Sequence, residues 1–562
     1  MSLQKRFQNY FAEKVEVITQ ELRSSVTHNV LVEDQTGFSF ERFNPVSINE
    51  VFNVIKESSS TTCDLDPIPT SFMKKFLPEL VPIMTNIIND SFRNGRFPDK
   101  FKCANIIPKL KGSSCDSDNL KNYRPIANLK FFAKILEKMA AHQLQEYLGK
   151  SDLHAKFQSG YRSFHSVETA LLRVTNDILL SLDRGEEVML ILLDFSSAFD
   201  TIDHDILLKR LSLRFGICGE ALNWMQSYLS GRTHNVVIGN DRSSGHVLTK
   251  GVPQGSVLGP VLFTLYTSPL ESLIERHNIF KMFYADDTQL YITFKQSRLE
   301  NVSSQIANCV QAIKEWSHQN CLKLNCSKTE FLHVSSRFRN TTPVIHLDLA
   351  GKQIKATKTC RNLGVIFDNK LTFDNFITQK CRSASFALYK IGKIRDFIDR
   401  STTERLVHAF VMCHFDFCNS LLFQLPLRQI QRLQTIQNSA ARLVTRTRKH
   451  ASISPVLRNL HWLPVQSRIK FKILLLAYEC FHGLAPAYLN DLLTVYKPTR
   501  NLRSCKKNLF IVPPILTRTY GERSFAHAAP VLWNSLPDSL RNINTLDRFK
   551  SALKTHLFQM AK

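Results

Sequence analysis

Hydrophobic positions along this chain switch between two periods. One, near 3.6 residues, marks amphipathic helices; the other, of two residues, marks half-buried strands. Phe7, Phe11, Val15, Ile18 and Leu22 recur at helical spacing and predict a helix within residues 1–30, followed by polar sequence to about residue 45. Ser58-Ser59-Ser60-Thr61-Thr62 and the proline-punctuated Asp66-Pro67-Ile68-Pro69-Thr70 predict a loop. Helical spacing returns over about 71–94 and stops near Gly95. Ala104 to Pro108 reads as a short strand, and helices are predicted over about 131–148 and 166–183.

Val188 to Leu193 is a continuous apolar run ending in Asp194, the pattern of a strand covered on both faces. Helices over about 203–214 and 219–230 follow, then a hairpin of 232–238 and 244–249 around Gly239-Asn240-Asp241. Phe280, Met282 and Tyr284 alternate into the pair Asp286-Asp287, and Leu290, Ile292 and Phe294 alternate out of it. That is a strand–turn–strand with carboxylates at the bend. Beyond about residue 375 the pattern is mostly helical and increasingly basic, with Ile430, Leu433, Ile436, Ala440, Leu443 and Val444 forming one apolar stripe. The mixture predicts an α+β protein.

Composition narrows the class. A chain of 562 residues exceeds one compact core, so several subdomains are expected. With 73 Lys+Arg against 48 Asp+Glu, the formal charge of +25 suits a polyanionic partner, nucleic acid ahead of a membrane surface. Hydrophobic content of 43% argues against a disordered basic tail. The 13 cysteines are scattered without a C-x-x-C pair, which disfavours zinc and suggests a reducing compartment, nuclear or cytoplasmic. No signal peptide or apolar run of membrane-spanning length stands out.

The candidate chemistry starts from Asp194, Asp286 and Asp287. Adjacent carboxylates at a hairpin bend repel each other, and a third ending a buried strand completes a set of hard oxygen ligands suited to Mg²⁺. Two such ions about 4 Å apart are the device of in-line phosphoryl transfer, so the set points to nucleotidyl transfer. Alone, Asp286-Asp287 reads as an ordinary turn; the strands on both sides and Asp194 reverse that reading. Phe199, at the turn after Asp194, is either a core aromatic or a ring that excludes a sugar 2′-OH. The loop 251–260 is rich in Gly and Pro and opens a helix, which allows close backbone approach to a ligand. Lys109 and Arg124 flank a loop and are either solvated cations or a triphosphate clamp. Lys328 is either a surface lysine or a proton donor to departing pyrophosphate.

The order of segments resembles the reverse transcriptase of LINE-like, non-LTR retrotransposons, most closely the jockey and chicken-repeat group. The resemblance rests on Asn122-Tyr123-Arg124-Pro125-Ile126, Phe157-Gln158-Ser159-Gly160-Tyr161-Arg162, the Asp194 segment, Gln254-Gly255, Tyr284-Ala285-Asp286-Asp287, the Lys328 segment and Asn362-Leu363-Gly364-Val365. Leu460-His461-Trp462-Leu463-Pro464-Val465 and Leu532-Trp533-Asn534-Ser535-Leu536-Pro537 look like the tails of these elements.

The resemblance implies a right-hand polymerase with helical extensions at both ends. It implies an N-terminal extension over 1–95, fingers over 96–187, palm over 188–368, thumb over 369–450 and a basic C-terminal region over 451–562. It assigns Asp194, Asp286, Asp287 and the backbone carbonyl of Phe195 to two Mg²⁺ ions, for which Mn²⁺ can substitute. Phe199 falls at the sugar gate, Gln254 and Gly255 against template and nucleotide, and Lys109 and Arg124 at the triphosphate. The implied partners are an RNA template, a DNA primer or target and dNTPs, with no membrane. Elements of this type carry an endonuclease ahead of the polymerase; none is recognised here, so the expectation is either a truncated reading frame or an endonuclease supplied elsewhere. The rival expectations are a catalytically inactive RNA-binding remnant, and an RNA-templated RNA polymerase or intron maturase with the same palm.

Overall fold

A computed structural model of the protein describes residues 2–23, 35–112, 115–339, 345–349, 351–497 and 508–560. The chain forms two compact units that share it in alternating stretches. Residues 1–161, 194–277 and 308–327 make the first; residues 162–193, 278–307 and 328–562 make the second.

In the first unit the strands Cys103–Leu110 and Tyr123–Leu129 form an antiparallel pair, and Cys103–Leu110 also runs parallel to Arg232–Ile238. His246–Leu248 closes the far side of Arg232–Ile238, giving the hairpin that the spacing predicts. The N-terminal helix, Leu3–Arg23, lies on this sheet; the rest of the stretch read as helical, 24–30, lies outside the described residues. Its Phe7 and Phe11 are buried with Ala104, Ile106, Ala127, Leu129 and Val236, and the Phe7 ring meets Tyr123 edge-on at 4.9 Å. Polar ties complete the dock: Gln8 Nε2 donates to the Ser244 carbonyl at 2.7 Å and Gln4 Nε2 to Asp241 at 3.1 Å. The helical period of the first twenty residues is therefore a packing pattern, not a free amphipathic face.

In the second unit a four-stranded antiparallel sheet runs in the order Glu330–Val334, Glu187–Leu193, Asp287–Phe294, Phe280–Tyr284. Glu187–Leu193 is buried along nearly its whole length, side chains of both faces included, which suits a continuous apolar run rather than an alternating one. The helix Val167–Asp183 packs on this sheet, and Tyr291, buried in it, donates its hydroxyl to Asp177 at 2.6 Å. The same helix anchors distant C-terminal sequence. Asp183 accepts the N–H groups of Leu516 (2.9 Å) and Thr517 (2.6 Å), Asn176 accepts that of Ala526 (2.9 Å), and the Tyr488 hydroxyl donates to Thr169 (2.9 Å).

Helices dominate after Asp374, as the sequence predicts. The helix Leu427–Thr445 buries Ile430, Leu433, Ala440 and Val444 from the expected stripe, but Ile436 and Leu443 are only half-buried. Gln437 takes a core place instead and satisfies its amide by donating to the Leu463 carbonyl at 2.9 Å. Among the described residues no helix is long and apolar enough to cross a membrane, and the described cysteines are all free thiols.

Candidate active site

The carboxylate hairpin is as tight as a hairpin allows. Tyr284 pairs with Asp287 across the ladder, so the loop is Ala285 and Asp286 alone. Ala285 takes φ +56°, a left-handed backbone that costs an alanine about 1 kcal/mol or more. Asp286 is half-buried and Asp287 exposed. One residue on, Thr288 is the ladder partner of Leu193, the last residue before Asp194. Asp194 and Asp287 are thus each one residue beyond the same cross-strand pair.

Asp194 has partners that the sequence reading did not single out. Its backbone carbonyl accepts the Asn325 N–H at 2.8 Å, and its carboxylate accepts the Asn325 side-chain amide at 3.3 Å. The two-residue strands Phe195–Ser196 and Lys323–Leu324 pair antiparallel and bring Asn325 there. Phe195 is buried, while Lys328, three residues past Asn325, is exposed on the turn before Glu330–Val334. Two-residue strands are too short to show a period, which is why this pairing escapes sequence analysis.

The residues present suit Mg²⁺ by donor chemistry: oxygen ligands from carboxylates, with no thiolate or imidazole among them. Among the described residues no group of three or more His, Cys, Asp or Glu side chains is assembled within reach of one ion.

Phe199 stacks on Phe263, with ring centroids 4.7 Å apart and planes at 22°. Phe263 is fully buried in the helix Leu258–Thr267, so the half-buried Phe199 ring rests on a fixed platform. The loop leading into that helix is held from several sides. Gln254 gives its carbonyl to the Ala127 N–H at 2.7 Å and its side-chain amide to Asp200 at 2.7 Å. Gly255 has φ +127°, and a Cβ there would stand 2.5 Å from the Ala127 carbonyl, so only glycine fits. Glu137, fully buried, accepts the N–H groups of Val257 (2.7 Å) and Leu258 (3.1 Å) at the helix start. Burial raises the Glu137 carboxyl pKa, against the opposing pull of Arg232 and those N–H groups.

Lys109 and Arg124 stand directly opposite each other in the antiparallel pair, and both are exposed. Asn362-Leu363-Gly364-Val365 is a two-residue turn, with Leu363 and Gly364 both left-handed (φ +45° and +86°) and Asn362 paired with Val365. Asn362 donates its amide to Gln289 at 2.7 Å, which ties this turn to the strand that begins at Asp287.

Residues 107–367 match the family model described as "Reverse transcriptase (RNA-dependent DNA polymerase)". That stretch of the chain is similar to a reverse transcriptase domain. Every candidate site residue lies inside that match, and so does each ladder pair described around the hairpin. Over 410 residues the chain is 26% identical to the "Probable RNA-directed DNA polymerase from transposon X-element" of Drosophila melanogaster, covering 72% of this chain and 44% of that protein. It is 23% identical over 441 residues to the corresponding protein "from transposon BS" of the same fly, covering 76% and 47%. To the "RNA-directed DNA polymerase from mobile element jockey" it is 27% identical over 339 residues, covering 59% and 36%. The chain thus spans less than half the length of these relatives. The resemblance read from its motifs to the retrotransposon reverse transcriptases is borne out.

Proposed function

We propose that the chain is an RNA-directed DNA polymerase of a non-LTR retrotransposon, adding dNTPs to a primer 3′-OH on an RNA template. The observation that carries this reading is the Leu193–Thr288 pairing, which sets Asp194 and the Asp286-Asp287 hairpin at one end of the same two strands. Asp194, Asp286, Asp287 and the Phe195 carbonyl would hold two Mg²⁺ ions. When bound, such ions lower the pKa of the attacking hydroxyl and neutralise the triphosphate and the leaving pyrophosphate. Asn325, on both the carbonyl and the carboxylate of Asp194, would keep that ligand oriented.

Lys109 and Arg124 would receive the triphosphate, Arg124 through paired N–H donors. Lys328 would give a proton to the departing pyrophosphate. Phe199, backed by Phe263, would lie under the incoming sugar and exclude a 2′-OH. Gln254 and Gly255 would meet template and nucleotide. In this reading the fingers, palm and thumb follow the divisions implied by the motifs, and the basic helices after Asp374 grip the heteroduplex with an affinity that falls steeply with salt. All three carboxylates are present, which supports a catalyst over an RNA-binding remnant. The test is primer extension by wild type and an Asp194→Asn variant.

A further inference from the structure

We propose that Asp200 is a positioning residue for Gln254, fixing which end of the Gln254 amide is offered to the nucleotide and template. The proposal rests on the polymerase reading and deepens it.

Asp200 immediately follows Phe199, and the turn that carries both is bolted to the glycine-rich loop on either side of it. Val252 N–H donates to the Phe199 carbonyl at 2.9 Å, and Gly251 N–H to the Ile202 carbonyl at 2.7 Å. The two segments are so close that a Cβ on Gly251, whose φ is +78°, would stand 2.6 Å from the Asp200 carbonyl. From this rigid mount the Asp200 side chain reaches Gln254, accepting its Nε2–H at 2.7 Å. The Gln254 backbone is pinned separately through Ala127, so the amide group is the part of this residue that Asp200 controls.

The chemistry of the pair makes the orientation one-sided. An ionised carboxylate only accepts hydrogen bonds, whereas an amide offers donors at one end and an acceptor at the other. Asp200 therefore selects the N–H end and leaves the Gln254 side-chain oxygen for another partner. Without Asp200, both amide orientations and several rotamers open to a long side chain. Binding would then have to freeze them, at a cost in affinity. Both residues line a cavity of about 460 Å³ beneath the N-terminal helix. Lys14 of that helix, with Lys250, His234 and His246 of the sheet side, are the other titratable groups facing it together with Glu16. Lys14 stabilises the charged form of Asp200, and burial opposes it.

The test is steady-state incorporation of one dNTP on an RNA template by wild type, Asp200→Ala, Gln254→Ala and the double variant. Asp200→Ala is expected to raise KM for the dNTP about tenfold with kcat within about threefold, the signature of lost binding rather than lost chemistry. The double variant should be no worse than Gln254→Ala, because each removes the same oriented amide. Asp200→Asn keeps the shape but can donate as well as accept, so it loses the one-sided selection and should raise KM in the same direction. If Asp200→Ala does not fold, Asp200→Asn and its combination with Gln254→Ala give the same comparison. Additive losses, an unchanged KM, or a fall in kcat alone would overturn the proposal. If wild type extends no primer, the polymerase reading fails separately. Hydrogen exchange of the Gln254 side-chain amide, read by NMR, then decides the positioning: faster exchange in Asp200→Ala supports it, and unchanged exchange refutes it.

Discussion

Lys109 and Arg124 are cross-strand partners in an antiparallel pair, two exposed cations placed directly opposite each other. Like charges so placed destabilise a sheet by some tenths of a kcal/mol, a cost that an anion between them would reverse. Lys109→Ala should therefore leave thermal stability unchanged or slightly higher while raising KM for dNTPs about tenfold or more, the scale of a lost charge-assisted hydrogen bond. Arg124→Lys should recover less than half of the Arg124→Ala loss, because an ammonium cannot reproduce the paired donors. Thermal unfolding and steady-state extension together check both signs.

Phe199 rests on Phe263 rather than hanging free, so its ring has a definite position to exclude from. Phe199→Ala should admit ribonucleotides, raising the rNTP:dNTP ratio of kcat/KM by about tenfold or more, the scale of lost steric discrimination. Phe263→Ala should loosen the same discrimination to a smaller degree and also destabilise the fold by about 3 kcal/mol, since it empties a buried site. Unchanged rNTP discrimination in Phe199→Ala would return that ring to the core.

Asp200 links pH to stability. Burial pushes its pKa from 3.8 up to about 6, with Gln254 and Lys14 pulling the other way. The folded state therefore binds this proton more tightly than the unfolded chain. The stability it contributes is fully present below the unfolded value and is lost as pH rises through about 6. Asp200→Asn has no such proton, so its thermal midpoint relative to wild type should rise as pH is taken from about 4 to about 7. A difference that is flat across that window would contradict the buried carboxylate.

Much of this was legible in the sequence because it is local. The run Val188–Leu193 is apolar throughout because the strand is buried on both faces, and the alternation around Asp286-Asp287 marks two strands, although Asp287–Phe294 is itself buried along most of its length. The helix over Val167–Asp183 begins at a Ser166 cap and falls within a residue of its predicted span. What the sequence did not disclose is long-range. Cys103–Leu110 pairs in parallel with a strand more than a hundred residues on, and no local period encodes that choice. Asn325, Asp200, Phe263 and Glu137 act through hydrogen bonds or ring contacts with residues far along the chain, so their types alone, common in turns and cores, gave no signal. The apolar stripe of Leu427–Thr445 drifted for a related reason. Gln437 is polar by composition, yet it is buried because the Leu463 carbonyl stands ready to accept its amide.

Primer extension on poly(rA)/oligo(dT) with Mg²⁺ and dTTP, wild type beside Asp194→Asn, tests the central claim most directly. Extension by wild type, lost in Asp194→Asn with RNA binding retained, is the predicted result. No extension by wild type, with salt-sensitive RNA binding intact, would contradict the account and leave a binding-only remnant; equal extension by both would remove Asp194 from the metal site.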